Sequence, residues 1–252
     1  MSGDNVFIYD EIVRAGDISV VPSSNFQPGY EPSKIKNIWV DYVYRSLAGT
    51  KNATIEIESE GSVVIATTGC ALYGLNLTGS YTTLKLQMYT TQWVDVANFD
   101  YDSSNGRAIV SYAEVSASKY RIVMDDPTVA SYVQLGVIVL GSSIQLSRGY
   151  EYGATNDLDD TSAHIYSKDG HLNVMQGREV EAKTVTYEVM LGDESRLERV
   201  YRKTRKRFPL VFVEDHTQAK ETMRYIIFEG RYGRRIPGNL FKTISLSWLR
   251  LD

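Results

Sequence analysis

Apolar and polar residues alternate in several short segments of the chain between residues 38 and 140. In the segment LKLQMY, Leu84, Leu86 and Met88 fall on one side of an extended chain, whereas Lys85 and Gln87 fall on the other. This period of two is typical of an antiparallel strand with one buried face. Similar segments, rich in β-branched and aromatic residues, predict strands at Ile38–Tyr44, Ala53–Glu58, Ser62–Thr67, Ala71–Leu77, Leu84–Tyr89, Trp93–Phe99, Ala108–Ser111, Lys119–Met124 and Val133–Leu140.

Turn-forming residues separate these predicted strands. The strongest such signal is the segment SSNG at 103–106, because Asn105 and Gly106 readily take the positive φ angles of a tight hairpin. Strands that recur about every 8–12 residues, with no helical pattern between them, are typical of a β-sandwich or jelly roll.

A polar stretch rich in Gly and Asp, RGYEYGATNDLDDT, begins at Arg148 and separates this region from the rest. After it the period of the apolar residues changes once. Leu197, Val200 and Thr204 follow the spacing of a helix, and Asp193 can cap the N-terminus of that helix. Pro209 stops this helix. Further strands are predicted at Val180–Leu191, Leu210–Glu214, Met223–Glu229 and Phe241–Leu251.

These elements predict a mainly β chain with two folded parts. Residues 1–24 are expected to form an N-terminal arm or strand, and residues 25–152 a jelly-roll β-sandwich. Residues 153–252 are expected to form a smaller β-rich docking domain that carries one amphipathic helix at about 193–207.

Composition fits a globular protein with an ordinary core. The chain has 252 residues, of which 43% are hydrophobic and 23% charged, and its single cysteine, Cys70, excludes an internal disulfide. No apolar run approaches the roughly 20 residues that span a bilayer. The first residues lack the features of a signal peptide. We therefore expect a protein made in the cytoplasm, without membrane insertion.

The charge is unevenly distributed along the chain. Residues 1–153 hold 10 Lys and Arg against 16 Asp and Glu, whereas residues 154–252 hold 17 against 15. Tyrosine dominates the aromatic residues, with 18 against 3 tryptophans and 7 phenylalanines. Because tyrosine is enriched where proteins meet other surfaces, this bias predicts that much of the surface is an interface.

The sequence contains no recognised catalytic or cofactor motif. It lacks a phosphate-binding loop and a Gly-x-Ser-x-Gly elbow, and Cys70 stands in an apolar stretch typical of a buried thiol. His164 and His171 are seven residues apart, which does not suit a zinc pair. We therefore expect no enzymatic activity and no cofactor.

An acidic segment offers the one candidate for a metal. Asp157, Asp159 and Asp160 present carboxylates that calcium prefers, but the segment lacks the glycine and distal glutamate of an EF-hand loop. A solvated linker is the favoured interpretation.

Basic residues crowd the end of the predicted helix. They complement the helix dipole, and the low net charge of their domain argues against nucleic-acid binding, so we interpret them as subunit contacts. A second basic pair lies in a Gly/Pro-rich loop, where it either reaches an acidic neighbouring subunit or forms a solvated turn. The candidates are Arg202, Lys203, Arg205, Lys206, Arg207, Arg234 and Arg235.

The order of these elements resembles a known fold. Trp39, the block ALYGLNLTGSYTTLKLQMYTTQWVDV and the closing segment YVQLGVIVLGSSIQLSRGYEYG are similar to the galactose-binding-like, discoidin-type jelly roll. The remainder, with its segments VTYEVML, ESRLERVYRKTRKRF, PLVFV and FKTISLSWLRL, looks like the C-terminal part of tail-tip structural proteins of long-tailed bacteriophages.

This resemblance implies a virion structural protein of a phage tail tip, assembled in the bacterial cytoplasm. It would form a homo-oligomer, as a ring, trimer or hexamer, and would connect the tail tube or hub to peripheral or receptor-binding parts.

The alternative is a carbohydrate-binding module that recognises a host surface glycan. Some jelly rolls of this kind bind sugars through loop aromatics, and the candidates here are Trp93, Tyr101, Tyr73 and Tyr30. A third hypothesis is a glycan-cleaving enzyme that uses paired carboxylates. Glu56, Glu58 and Glu60 alternate, but they are more typical of a solvated strand face.

Overall fold

A computed structural model describes residues 5–10, 12–146, 155–160, 163–166, 172–175, 179–189, 191–204, 208–229, 233–235 and 242–252. In the first part of the chain the strands are β1 (Val6–Asp10), β2 (Asp17–Val21), β3 (Tyr44–Arg45), β4 (Asn52–Glu58), β5 (Ile65–Tyr73), β6 (Thr83–Tyr89), β7 (Trp93–Asn98), β8 (Asp100–Asp102), β9 (Arg107–Ala117), β10 (Lys119–Asp125), β11 (Gln134–Leu135) and β12 (Val137–Gln145). The later elements are β13 (Thr155–Asp160), β14 (Ala163–Tyr166), β15 (Leu172–Met175), β16 (Glu179–Val189), α1 (Leu191–Thr204), β17 (Leu210–Val213), α2 (Ala219–Thr222), β18 (Met223–Phe228), β19 (Gly233–Arg235) and β20 (Lys242–Arg250).

Two antiparallel sheets organise the molecule. The smaller one has five strands in the order β2-β4-β10-β6-β7. The larger one has 11 strands in the order β13-β16-β20-β18-β17-β1-β12-β5-β9-β8, with β19 added on β20. The predicted fold class, mainly β with an N-terminal jelly-roll sandwich and a smaller β-rich part carrying an amphipathic helix, is confirmed.

The sandwich core lies between the five-stranded sheet and strands β12, β5 and β9 of the large sheet. The alternation in LKLQMY has the predicted effect, since Leu84 and Leu86 are buried in this core. Tyr120 and Ile122 of β10 lie in the same core, and Leu72 reaches it from the opposite sheet. The period of two therefore sets which face of each strand is covered.

Strand β1 occupies the centre of the large sheet. It pairs with β12 of the sandwich on one side and with β17 of the C-terminal part on the other. Val6 and Ile8 point to one face of the sheet and Phe7 and Tyr9 to the other, and all four are buried. Residues expected to form an N-terminal arm or strand thus form β1 and β2, one strand in each sheet.

Helix α1 covers the C-terminal part of the large sheet. Leu197 and Val200 pack on a second core that contains Phe212, Phe228 and Trp248. The helix begins two residues before the predicted Asp193, and its predicted last residues, 205–207, lie outside the described ranges. No helix within the described parts of the chain has the length and apolar character needed to cross a membrane.

Several predicted strand boundaries are corrected. The segment predicted as a strand at Ile38–Tyr44 is mostly turn and loop, and only Tyr44 enters the short β3. The predicted strands Ser62–Thr67 and Ala71–Leu77 form a single strand, β5, with a bulge between Thr67 and Gly69. A bulge interrupts the alternation without ending the strand, which explains why the sequence pattern split it.

The predicted SSNG hairpin turn is present between β8 and β9. Gly106 has a φ of +62°, and a Cβ at this position would collide with the carbonyl oxygen of Leu75. This turn therefore requires glycine for both its conformation and its packing.

Candidate functional site

An aromatic pair lies at the end of the β6–β7 hairpin, on the outer side of the five-stranded sheet. Tyr89 and Trp93 are cross-strand partners, and their ring centroids are 5.3 Å apart in an edge-on arrangement. Tyr89 is 42% exposed, and Trp93 is half-buried. The guanidinium carbon of Arg121 lies 4.3 Å from the Trp93 ring centroid, so a cation–π contact fixes the indole.

A row of polar side chains continues from this pair across the sheet. Arg121 Nε donates to Gln87 Oε1 at 2.6 Å, and the Gln87 amide donates to the Asp95 carboxylate. Lys85 Nζ lies 3.0 Å from Asp95 Oδ1. The hydrogen bonds from Gln87 and Lys85 lower the pKa of Asp95, so its carboxylate is ionised at neutral pH.

We call Tyr89, Trp93, Arg121, Gln87 and Asp95 the Trp93 platform. Its polar groups stand on strands and bond to one another, which holds them in place beside the indole. A half-exposed aromatic ring next to fixed donors and acceptors can take a molecule that has both an apolar face and hydroxyl groups.

Tyr30, a second predicted glycan residue, belongs to a different cluster. The Arg45 guanidinium lies between two rings, 4.1 Å from the Tyr30 centroid and 4.9 Å from that of Tyr132. Arg45 Nε also donates to Gln134 Oε1 at 2.9 Å. The Tyr30 ring is therefore held by Arg45 near the short β3–β11 pair rather than by the Trp93 platform.

The other two candidates, Tyr73 and Tyr101, are buried. Tyr101 donates its hydroxyl to the Leu77 carbonyl oxygen at 2.7 Å, and burial raises its pKa to about 12. Tyr73 is 1% exposed and its ring centroid lies 5.3 Å from that of Tyr225. Neither ring is accessible to a sugar in this structure, so only Trp93 and Tyr30 remain as candidates for binding, and this role stays a prediction.

Part of the tyrosine bias comes from the core, and the predicted interface role of the more exposed tyrosines stays a prediction. Among the described residues seven tyrosines are buried, where the ring fills space between layers, and several of their hydroxyls bond to the backbone. Tyr44, for example, donates to the Asn25 carbonyl oxygen at 2.7 Å, and Tyr120 donates to that of Ile65 at 3.0 Å. The tyrosine count therefore does not measure interface area.

The basic residues predicted as subunit contacts are only partly described. Arg202 is exposed and pairs with Glu198 at 2.6 Å within α1, and Lys203 is exposed beside it. Residues 205–207 lie outside the described ranges. Arg234 and Arg235 lie in β19, but their side chains are not described. The role of these residues as subunit contacts stays a prediction.

The acidic segment expected as a linker is strand β13. Asp157, Asp159 and Asp160 pair through their backbone with β16, at the edge of the large sheet, and their side chains lie outside the described set. Among the residues that the structure does describe, no group of three His, Cys, Asp or Glu side chains is arranged to hold a metal. Calcium binding by the acidic segment is therefore untested.

Arg121, Gln87 and Asp95 were missed by the sequence analysis. The alternation places each of them on a solvent-facing side of its strand, but the sequence pattern does not tell which strands are neighbours. Only the pairing of β10 with β6, and of β6 with β7, brings the three side chains to Trp93.

Comparisons with known proteins give low similarity. No protein-family model and no curated protein matches the chain. Among solved structures, chitosan-binding module 1 from a Paenibacillus sp. IK-5 chitosanase/glucanase has a TM-score of 0.42 at 15% identity, over 52% of this chain and 98% of that one.

Two further structures are similar to the same extent. Chitosan-binding module 2 of the same Paenibacillus enzyme, in complex with chitotriose, has a TM-score of 0.41 at 18% identity, over 52% of this chain and 99% of that one. The Clostridium perfringens module CpGH89CBM32-5, in complex with GalNAc-β-1,3-galactose, has a TM-score of 0.41 at 9% identity, with coverage of 52% and 99%. At these scores the likeness carries no conclusion about the activity of this chain.

Proposed function

We propose that this protein binds carbohydrate without cleaving it, and that the Trp93 platform is the binding surface. The observation that carries this proposal is the half-exposed indole held by Arg121 beside a rigid row of polar groups. A sugar ring has an apolar C–H face that packs on an aromatic ring, and hydroxyls that bond to a group such as the exposed Asp95 carboxylate. A host surface glycan is the ligand that this function would serve.

Two carboxylates of the sandwich, Glu58 and Asp95, suit a binding role rather than catalysis. A glycosidase needs one carboxylic acid with a raised pKa. Glu58 accepts hydrogen bonds from Ser62 and Lys119, and these lower its pKa. Asp95 is also held in its ionised form. These two groups are therefore suited to accept hydrogen bonds from a ligand rather than to protonate a leaving group.

The test is binding to a glycan array with purified protein. We expect Trp93→Ala to abolish binding and Asp95→Asn to weaken it about tenfold or more, because the amide removes a charged acceptor. Tyr42→Ala is the matched control, since Tyr42 is an aromatic residue with 48% exposure elsewhere on the sandwich. Binding that survives in the Trp93→Ala protein, or no binding to any glycan, contradicts the proposal.

The role in a phage tail tip, with homo-oligomerisation and contacts to other tail proteins, stays a prediction from the sequence resemblance. Labelled antibody on the parent particle tests it by electron microscopy. We expect label at the tail tip, and label on the capsid alone, or none, contradicts it.

A further inference from the structure

A pocket of about 340 Å³ opens on the outer face of the large sheet. Val6 of β1, Ile109 of β9 and Val213 of β17 form its apolar floor, and all three belong to the cluster on the face turned away from the sandwich core. Strands from the sandwich and from the C-terminal part meet here through β1. Ligand pockets favour such junctions.

Two walls of the pocket are held together by an ion pair. One wall contains Asn98 and Asp100, where β7 passes into β8, and the other contains His216 and Ala219, next to and within α2. Lys220 Nζ, one residue after Ala219, lies 2.9 Å from Asp100 Oδ1 and connects the walls. This ion pair thus links β8 to the helix α2 on either side of the pocket.

The polar groups of the pocket are mostly neutral. Ser111, Ser143, Asn98 and Gln145 lie around the apolar floor. Hydroxyl and amide groups can both donate and accept hydrogen bonds, as the hydroxyls of a ligand do. The Ser143 hydroxyl lies 3.0 Å from Thr68 Oγ1, which orients it. This set of groups matches a ligand with several hydroxyls.

The charged groups of the lining disfavour an ion. Lys220 pairs with Asp100 and offsets its charge, so this pair leaves little net charge to attract either an anion such as phosphate or a cation. We therefore propose that this pocket binds a small neutral polyhydroxylated ligand, a single sugar ring or a cyclic polyol. Its C–H face packs on the Val6 and Ile109 floor, and its hydroxyls bond to Ser111 and Asn98.

This site is separate from the proposed glycan surface. Asn98 lies five residues after Trp93 along β7, which is roughly 16 Å in an extended strand. The apolar floor of the pocket is also formed by the large sheet, whereas the Trp93 platform stands on the five-stranded sheet. The two proposals can therefore fail independently.

The experiment uses ligand-observed NMR on the full chain carrying Trp93→Ala, so that binding at the Trp93 platform does not contribute to the signal. The neutral probes are galactose, N-acetylglucosamine and myo-inositol, and the charged probe is inorganic phosphate. We expect saturation transfer to at least one neutral probe with millimolar affinity. Ser111→Leu, which places an apolar side chain in the pocket, should abolish it, and Asn98→Ala should weaken it about tenfold.

Controls separate this site from folding effects and from the Trp93 platform. In this background Asn105→Ala, which changes an exposed asparagine in the β8–β9 turn, should keep the neutral-probe signal. If Ser111→Leu unfolds the protein by circular dichroism, Asn98→Ala decides the question, since its side chain is exposed. The proposal is overturned if no neutral probe binds, if phosphate binds more tightly, or if the signal survives in the folded pocket variants.

Discussion

Two buried tyrosines differ in how their hydroxyls are satisfied. The Tyr101 hydroxyl donates to the Leu77 carbonyl oxygen, whereas the buried Tyr73 hydroxyl has no hydrogen-bond partner among the described residues. Burial is the main reason that the pKa of Tyr73 is raised, and the nearby Asp252 carboxylate adds to it. The Tyr73 hydroxyl therefore loses its hydration on folding without a bond in return.

We expect Tyr73→Phe to stabilise the protein by about 1 kcal/mol, because the variant removes a buried polar group that has no partner. Tyr101→Phe is the matched control and should destabilise by about 1 kcal/mol, because it leaves the Leu77 carbonyl oxygen without its donor. Urea unfolding of the three proteins measures both changes. An equal loss of stability in the two variants contradicts this account of Tyr73.

At the scale of elements, Asp126 joins two loops of the sandwich. Its carboxylate accepts hydrogen bonds from the backbone N–H groups of Thr78 and Thr128, at 2.5 and 2.9 Å. It also accepts hydrogen bonds from both threonine hydroxyls. Thr78 follows β5, and Asp126 and Thr128 follow β10. Burial alone raises the pKa of Asp126, but these hydrogen bonds outweigh it and the pKa is lowered.

Because the folded pKa lies below the unfolded value, ionised Asp126 stabilises the fold at neutral pH. This contribution is complete above the unfolded pKa of about 3.9 and is lost as the pH falls through the folded pKa. Asp126→Asn should cost about 1 kcal/mol or more at neutral pH, since an amide nitrogen cannot accept these bonds.

Urea unfolding at a series of pH values tests the Asp126 contribution. The difference between the Asp126→Asn variant and the unmodified protein should shrink as the pH falls below about 4. Asp125→Asn is the control and should show little change, because within the described part of the chain the Asp125 carboxylate makes no hydrogen bond to either loop. A difference that stays constant down to the lowest pH contradicts the assignment.

The elements that the sequence predicted well are the half-buried strands. LKLQMY alternates because one face meets the core and the other meets water, so the pattern alone identified β6. Strand β1 was not identified by this pattern, because VFIY is buried on both faces and shows no alternation. The segment IWVDYVY, which begins at Ile38, was wrongly predicted as a strand. It is apolar enough for a strand but forms mostly turn and loop.

The candidate site was predictable only in part for a related reason. Trp93 was identified by its residue type, whereas Arg121 lies 28 positions further along the chain and reaches the indole through two strand pairings. Likewise, whether Tyr73 and Tyr101 are buried depends on which other parts of the chain pack against their side of the sheet. Pairing and layer order are long-range properties, and a local pattern does not contain them.

At the scale of the whole molecule, a buried ion pair ties the sandwich to the C-terminal strands. Arg107 at the start of β9 lies 2.7 Å from Asp252, and their side chains are 11% and 3% exposed. Arg107 also donates to the Met223 carbonyl oxygen of β18, while Asp252 accepts from Arg250 Nε at 3.0 Å. The large sheet is thus held together by this cluster as well as by β1.

Removal of the Asp252 carboxylate leaves the buried Arg107 guanidinium without this opposite charge. We therefore expect Asp252→Asn to destabilise the protein by about 3 kcal/mol. The matched control is the exposed pair of Lys220 and Asp100, where Lys220→Met should change stability by less than about 1 kcal/mol. If the Arg107–Asp252 contact acts as a unit, the double variant Arg107→Met with Asp252→Asn will lose less than the sum of the single losses. Additive losses in this urea-unfolding cycle would show that Arg107 and Asp252 stabilise the sheet independently, and the ion pair would then not be what joins its two parts.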